Sequence, residues 1–161
     1  MKKTQAIILR HKKENLKKCS LRGLEEREDL KFYKYPTNFE NCLNIDEQII
    51  ILKLGCEELS SKDSETLFLI DATWKYSENI LTQIEKNNKN IIYRSIPKGF
   101  ITAYPRKQTL CSDPDAGLAS VEALYISFLI TKKKNYKTLL NNYYWKLFFL
   151  ERNKLLLNKY Y

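Results

Sequence analysis

The sequence predicts an α/β fold built on a mostly parallel sheet, and two observations predict it. Short apolar runs recur along the chain, and helix-compatible stretches lie between and after them. Uninterrupted apolar runs of strand length suit strands covered on both faces, which is the situation in a parallel sheet flanked by helices. The length fits one domain, or a compact domain carrying a small lobe. The expected division is an N-terminal basic α/β lobe at 1–45 and a larger domain at 46–161 that ends in helices.

In order, the segments 6–9, 31–35, 49–52, 66–70 and 91–93 read as strands, rich in Ile, Leu, Phe and Tyr. The segment 75–89 reads as a helix, because Tyr76, Ile80, Leu81 and Ile84 make one apolar stripe at helical spacing. Ser120 is placed to cap a helix over 121–130, with Glu122 near its positive end. The tail over 135–157 reads as one long amphipathic helix or two shorter ones, with Leu139, Leu140, Tyr143, Leu147 and Leu150 as its core stripe. Pro97, Pro105 and Pro114, with Gly99 and Gly117, mark a loop-rich stretch before the later helices.

The formal net charge is +9 and is unevenly distributed. Residues 1–34 hold 11 basic and 5 acidic side chains, residues 132–161 hold 8 and 1, and residues 40–92 hold 5 and 10. Two basic ends around an acidic middle point to a polyanion such as a nucleic acid. Solvated charge on a lysine-rich surface is the plainer reading of the same numbers.

Several chemistries are excluded. Gly23, Gly55, Gly99 and Gly117 form neither a dinucleotide fingerprint nor a P-loop. Cys19, Cys42, Cys56 and Cys111 form no close pair, and His11 is the single histidine, so no zinc site is expected and no metal is assigned. His11 lies in the run Arg10-His11-Lys12-Lys13, which predicts a solvated imidazole rather than a catalytic base. Reduced thiols, no membrane span and a cytoplasmic monomer are the corresponding expectations.

What remains is polar chemistry at strand ends. Asp71 directly follows an apolar run, and Thr73-Trp74 lead from it into the next helix. In an open α/β sheet, ligands bind beyond the carboxyl ends of the strands, which makes Asp71 and Trp74 site candidates. On the same residues, Asp71 reads equally well as a helix cap and Trp74 as core.

At these residues a resemblance enters. Ile70-Asp71-Ala72-Thr73-Trp74 resembles the Asp-Cys-Ser-Trp signature of the ribosomal RNA aminocarboxypropyltransferases and the Asp-Gly-Thr-Trp signature of their DTW-domain tRNA-modifying relatives. Lys17-Lys18-Cys19-Ser20 is similar to the Lys-Lys-Cys-Ser-Gly motif of the ribosomal family. Arg94-Ser95-Ile96-Pro97, continued by Ala103-Tyr104-Pro105, is similar to its Arg-x-Leu-Pro segment ending in Ala-Asn-Pro. Leu118-Ala119-Ser120-Val121-Glu122-Ala123 is similar to its Leu-Ser-x-Val-Glu-Ala segment. The four stretches keep the family's order. Leu54 stands where the family has a loop proline, Leu21 where it has glycine, and Tyr104 where it has asparagine.

The resemblance implies a SPOUT-like knotted fold and S-adenosylmethionine as the group donor. It implies transfer of the 3-amino-3-carboxypropyl group to a uridine or pseudouridine imino nitrogen of rRNA or tRNA. Matched position by position, Ser20, Leu52, Leu54, Asp71, Trp74, Phe100, Ala103 and Ser120 would line the cofactor site. Asp71 is also the catalytic candidate, either taking the imino proton or holding the cofactor's amino group. The basic residues Arg10, Lys17, Lys18, Arg22, Arg94 and Arg106 are candidate phosphate contacts on RNA. The alternatives are a SPOUT-type RNA methyltransferase using the same pocket, and a non-catalytic RNA- or ribosome-binding module.

Overall fold

The computed structural model describes residues 3–43, 46–105 and 117–161. Among them lie the strands β1 (Ala6–His11), β2 (Leu30–Tyr35), β3 (Ile49–Leu52), β4 (Thr66–Asp71) and β5 (Ile91–Arg94). The helices are α1 (Trp74–Asn87), α2 (Ser120–Ile130), α3 (Lys146–Arg152) and α4 (Lys154–Leu157), with 3-10 turns at Phe39–Asn41 and Tyr136–Leu140. The strands form one sheet in the order β2-β1-β4-β3-β5, and every pairing in it is parallel. The sheet runs across the expected boundary at residue 45, because β1 lies between β2 and β4.

The two-residue period of a strand sorts its side chains between two cores. Ala6 and Ile8 of β1 join Leu30, Ile50 and Leu67 against α2 and the tail. Ile7 and Leu9 face the other way, joining Ile49, Ile51 and Phe68 against Ile80 and Ile84 of α1. Nine of the eleven residues of α2 are buried, so it is a central helix, apolar on all sides.

Several local expectations are corrected. The residue capping α2 is Ala119, and Ser120 is already helical. The tail is a 3-10 turn and two short helices, broken where the buried Asn153 turns its amide toward a neighbouring loop. Leu147, expected in the core stripe, is 80 % exposed, whereas Leu139, Leu140 and Tyr143 are buried.

His11 is not solvated either. It is the last residue of β1, and its ring stacks on Tyr76 of α1 at 4.1 Å and leans on Tyr35 at 5.6 Å. Its Nδ1 accepts the backbone N–H of Lys13 at 3.0 Å. Burial, then the charges of Lys13 and Lys12, hold its pKa below the ordinary imidazole value. Of the cysteines, Cys19 and Cys42 are buried and unpaired, Cys56 is half-buried and unpaired, and Cys111 lies outside the described residues.

Candidate active site at the carboxyl ends of the strands

The site is built on two register partners. Arg10 of β1 pairs with Asp71 of β4, so both side chains leave the sheet at its carboxyl end on the α2 face. Arg10 Nε–H donates to Asp71 Oδ2 at 3.1 Å, and Arg10 Nη1–H donates to Glu25 at 3.2 Å. The guanidinium also lies over the Phe32 ring at 5.0 Å. Asp71 is buried, and two more donors reach it: Cys19 Sγ–H at 3.3 Å on Oδ2 and Ser120 Oγ–H at 3.0 Å on Oδ1. Burial, with the neighbouring Asp71 charge, pushes the Cys19 thiol up to about 12, so sulfur stays protonated and donates.

The start of α2 is held from outside the helix. Its N-cap has no side-chain oxygen, and Ser20 supplies one: Ser20 Oγ accepts the Val121 N–H at 3.1 Å. Glu122 is fully buried and ties three segments together. It accepts from the backbone N–H of Ala119 and of Ala103, each at 3.0 Å, and from the hydroxyl of Tyr143 at 2.6 Å. Three donors offset the cost of burying that carboxylate.

The loop from Phe100 to Ala103 is clamped by the tail. Asn153 accepts the Ile101 N–H at 2.7 Å and donates to the Ile101 carbonyl at 2.8 Å, the pairing a neighbouring strand would supply. Arg152 donates to the Thr102 carbonyl at 2.9 Å. Beyond the loop, the Tyr104 hydroxyl donates to the Lys18 carbonyl at 2.5 Å and ties it to the segment carrying Cys19 and Ser20.

The expected site residues therefore fall into groups. Asp71, Ser120, Ser20 and Ala103 belong to one connected hydrogen-bond network around the start of α2. Leu52 ends β3, Leu54 follows it and Trp74 follows β4, all at the carboxyl edge of the sheet, with Leu54 80 % and Trp74 40 % exposed. The Phe100 side chain turns into the core beside Tyr160, so only its backbone is free to meet a ligand.

The basic candidates also divide. Lys17, Lys18 and Arg22 are exposed on the loop between β1 and β2. Arg10, expected to contact phosphate, instead holds Asp71, with only 12 % of its side chain exposed. Arg94 is likewise committed to Asp63 at 3.0 Å and to Glu57 at 3.6 Å. Arg106 lies outside the described residues.

Sequence reasoning missed the holding roles of Glu122, Tyr143, Asn153 and Cys19. A charge inside a run as apolar as Val121 to Ile130 was a readable signal for Glu122. Nothing local marks Asn153, whose partner lies 52 residues away.

A cleft of about 650 Å³ opens at the opposite, amino end of the strands, lined by Lys3, Lys31, Glu40 and Glu47 among others. Its charges are mixed, so the Asp71 edge, where several donors converge on one buried carboxylate, is the better candidate. Among the described residues, no three of His, Cys, Asp and Glu come together as metal ligands. No helix among them is long and apolar enough to cross a membrane.

These features define an α/β protein with a buried, hydrogen-bonded carboxylate at the carboxyl ends of an all-parallel sheet. No protein-family model matches the chain, and no curated protein matches it in sequence. Among solved structures, the chain is similar to the SAM-dependent rRNA:acp-transferase Tsr3 from Vulcanisaeta distributa. The TM-score is 0.69 at 19 % identity, over 98 % of this chain and 83 % of that one. The chain thus has an acp-transferase-like α/β fold.

Proposed function

We propose that this chain transfers the 3-amino-3-carboxypropyl group of S-adenosylmethionine to the imino nitrogen of a uridine or pseudouridine in rRNA or tRNA. What carries the reading is the Tsr3-like fold over nearly the whole chain, combined with a held carboxylate at the strand ends where the sequence resemblance puts the donor. A SPOUT-like knot belongs to the same reading.

The residues fit such a donor. Leu54 and Trp74 leave apolar surface uncovered beside the strand ends, suited to a purine ring and a methionine chain. The Phe100 to Ala103 backbone is fixed by Asn153 and Glu122, so its free groups are already oriented. The donor, when bound, would supply a γ-methylene carbon made electrophilic by its sulfonium, with methylthioadenosine as the leaving group and the imino proton released to water.

In this reading Asp71 positions rather than abstracts. Three donors already occupy its two oxygens, and protonating it would remove the partner of a buried guanidinium. Its charge suits the donor's ammonium group, and its bond to Ser120 fixes the start of α2 beside the cofactor. Lys17, Lys18 and Arg22 flank the Cys19-Ser20 segment, so phosphates held there bring the acceptor base to the same edge.

The test is incubation of purified protein with unmodified RNA and S-adenosylmethionine labelled in the carboxyl group. Label should enter the RNA. Label arriving only from the methyl group would make the chain a methyltransferase, and failure to bind the cofactor would leave an RNA-binding module.

A further inference from the structure

The helical segment that clamps the Phe100 to Ala103 loop carries apolar side chains on both of its sides. Its inner side is explained: Phe149, Asn153 and Leu157 are buried, and backbone bonds from Phe149 to Trp145, from Asn153 to Phe149 and from Leu157 to Asn153 link α3 to α4 across the turn at Asn153. The outer side should then be polar. Instead, Tyr144, Leu147, Phe148 and Leu155 are 86, 80, 60 and 84 % exposed. With the exposed Glu151 they recur at three- and four-residue spacing from the turn before α3, through α3, into α4. Large apolar side chains gathered in a row differ from the scattered ones any surface carries.

The row has basic margins. Arg152 lies over the Phe148 ring at 5.4 Å, and Lys154 in α4 and Lys159 just after it are exposed on either side of Leu155 in sequence. We infer that this face docks a protein partner, through an amphipathic helix whose apolar stripe is edged by aspartate or glutamate. The apolar centre and charged rim have the anatomy of a protein interface, and the sign of the rim selects an acidic edge. A second copy of this chain would press two basic margins together. RNA would satisfy the lysines and find rings at Tyr144 and Phe148, but it would leave the aliphatic Leu147 and Leu155 uncovered, which an apolar helix stripe buries. The inference is independent of the transferase reading, since the face lies on the opposite side of the helix from the clamped loop.

Fluorescence anisotropy with the full chain tests it, using two labelled helical peptides with leucines at i, i+3, i+4 and i+7. One is flanked by glutamates and the other by lysines. The glutamate peptide should bind and the lysine peptide should not. The double substitution Leu147→Ser/Leu155→Ser should weaken binding by about tenfold or more. Both side chains are exposed, so the melting curve should be unchanged. Absence of glutamate-peptide binding, or equal binding to the double variant, overturns the inference. So does a parent dimer that the double substitution dissolves, or a loss confined to binding of a single-stranded RNA oligonucleotide.

Discussion

Arg10 and Asp71 are register partners on neighbouring parallel strands, so their ion pair is set by the sheet rather than by the reach of two flexible side chains. Both are shielded from water, where removing one partner strands the other. Arg10→Ala should therefore cost about 3–5 kcal/mol of stability in denaturant titration. A double-mutant cycle with Asp71→Asn should return a coupling of about 0.5–3 kcal/mol. Additive losses would mean that the two groups act separately.

Ser20 caps α2 across 101 residues of sequence. Ser20→Ala leaves the Val121 N–H without that acceptor and should cost about 0.5–2 kcal/mol, while Ser20→Thr keeps a hydroxyl and should retain most of that stability. Equal melting temperatures for parent and Ser20→Ala would show that water replaces the hydroxyl without penalty.

Trp74 contributes little to the core at 40 % exposure, so Trp74→Ala should leave stability nearly unchanged. Under the proposed function it forms a wall for the donor. Its loss should weaken S-adenosylmethionine binding by about 1–3 kcal/mol, or roughly 5- to 150-fold in calorimetry. An unchanged affinity removes Trp74 from the site.

His11 makes stability depend on pH. Its imidazole titrates near 6.5 when unfolded and lower in the fold, where burial and then Lys13 and Lys12 disfavour the charged form. The unfolded chain binds the proton first on acidification. The contribution is therefore complete above the unfolded pKa and is lost as pH falls through the folded one, by at most about 1.4 kcal/mol per pH unit. Between about pH 7.5 and pH 5.5 the parent's denaturation midpoint should fall more steeply than that of His11→Phe. Parallel profiles for the two proteins would rule out this linkage.

The strands were legible because Ile49, Ile50 and Ile51, or Leu67, Phe68 and Leu69, announce burial on both faces within a few residues. Their order in the sheet was not legible, since β1 pairing with β4 depends on contacts about 60 residues apart. His11 was misread for the same reason. Its charged neighbours are local, but the Tyr76 ring that covers it arrives from α1. Asp71 and Ser120 stood out as site candidates individually, whereas the hydrogen bond joining them exists only in the folded chain. The tail's periodicity was real at Leu139, Leu140 and Tyr143. It failed at Leu147, because a row of apolar residues does not declare which side of its helix faces the core.

The Asn153 clamp on Ile101 has a consequence for the order in which the molecule becomes competent. As the chain is synthesised, β1 to β5 and α2 emerge before residue 153 does, and the sheet can form while the Ile101 backbone still lacks its partner. The contact waits on the emergence of residue 153 itself, so it is made after every strand and α2 are available. A nascent or truncated chain ending before Tyr143 would carry Asp71, Ser120 and Trp74 and yet present an unset loop. Under the proposed function, donor binding would then report on how far synthesis has run, not merely on whether the sheet exists.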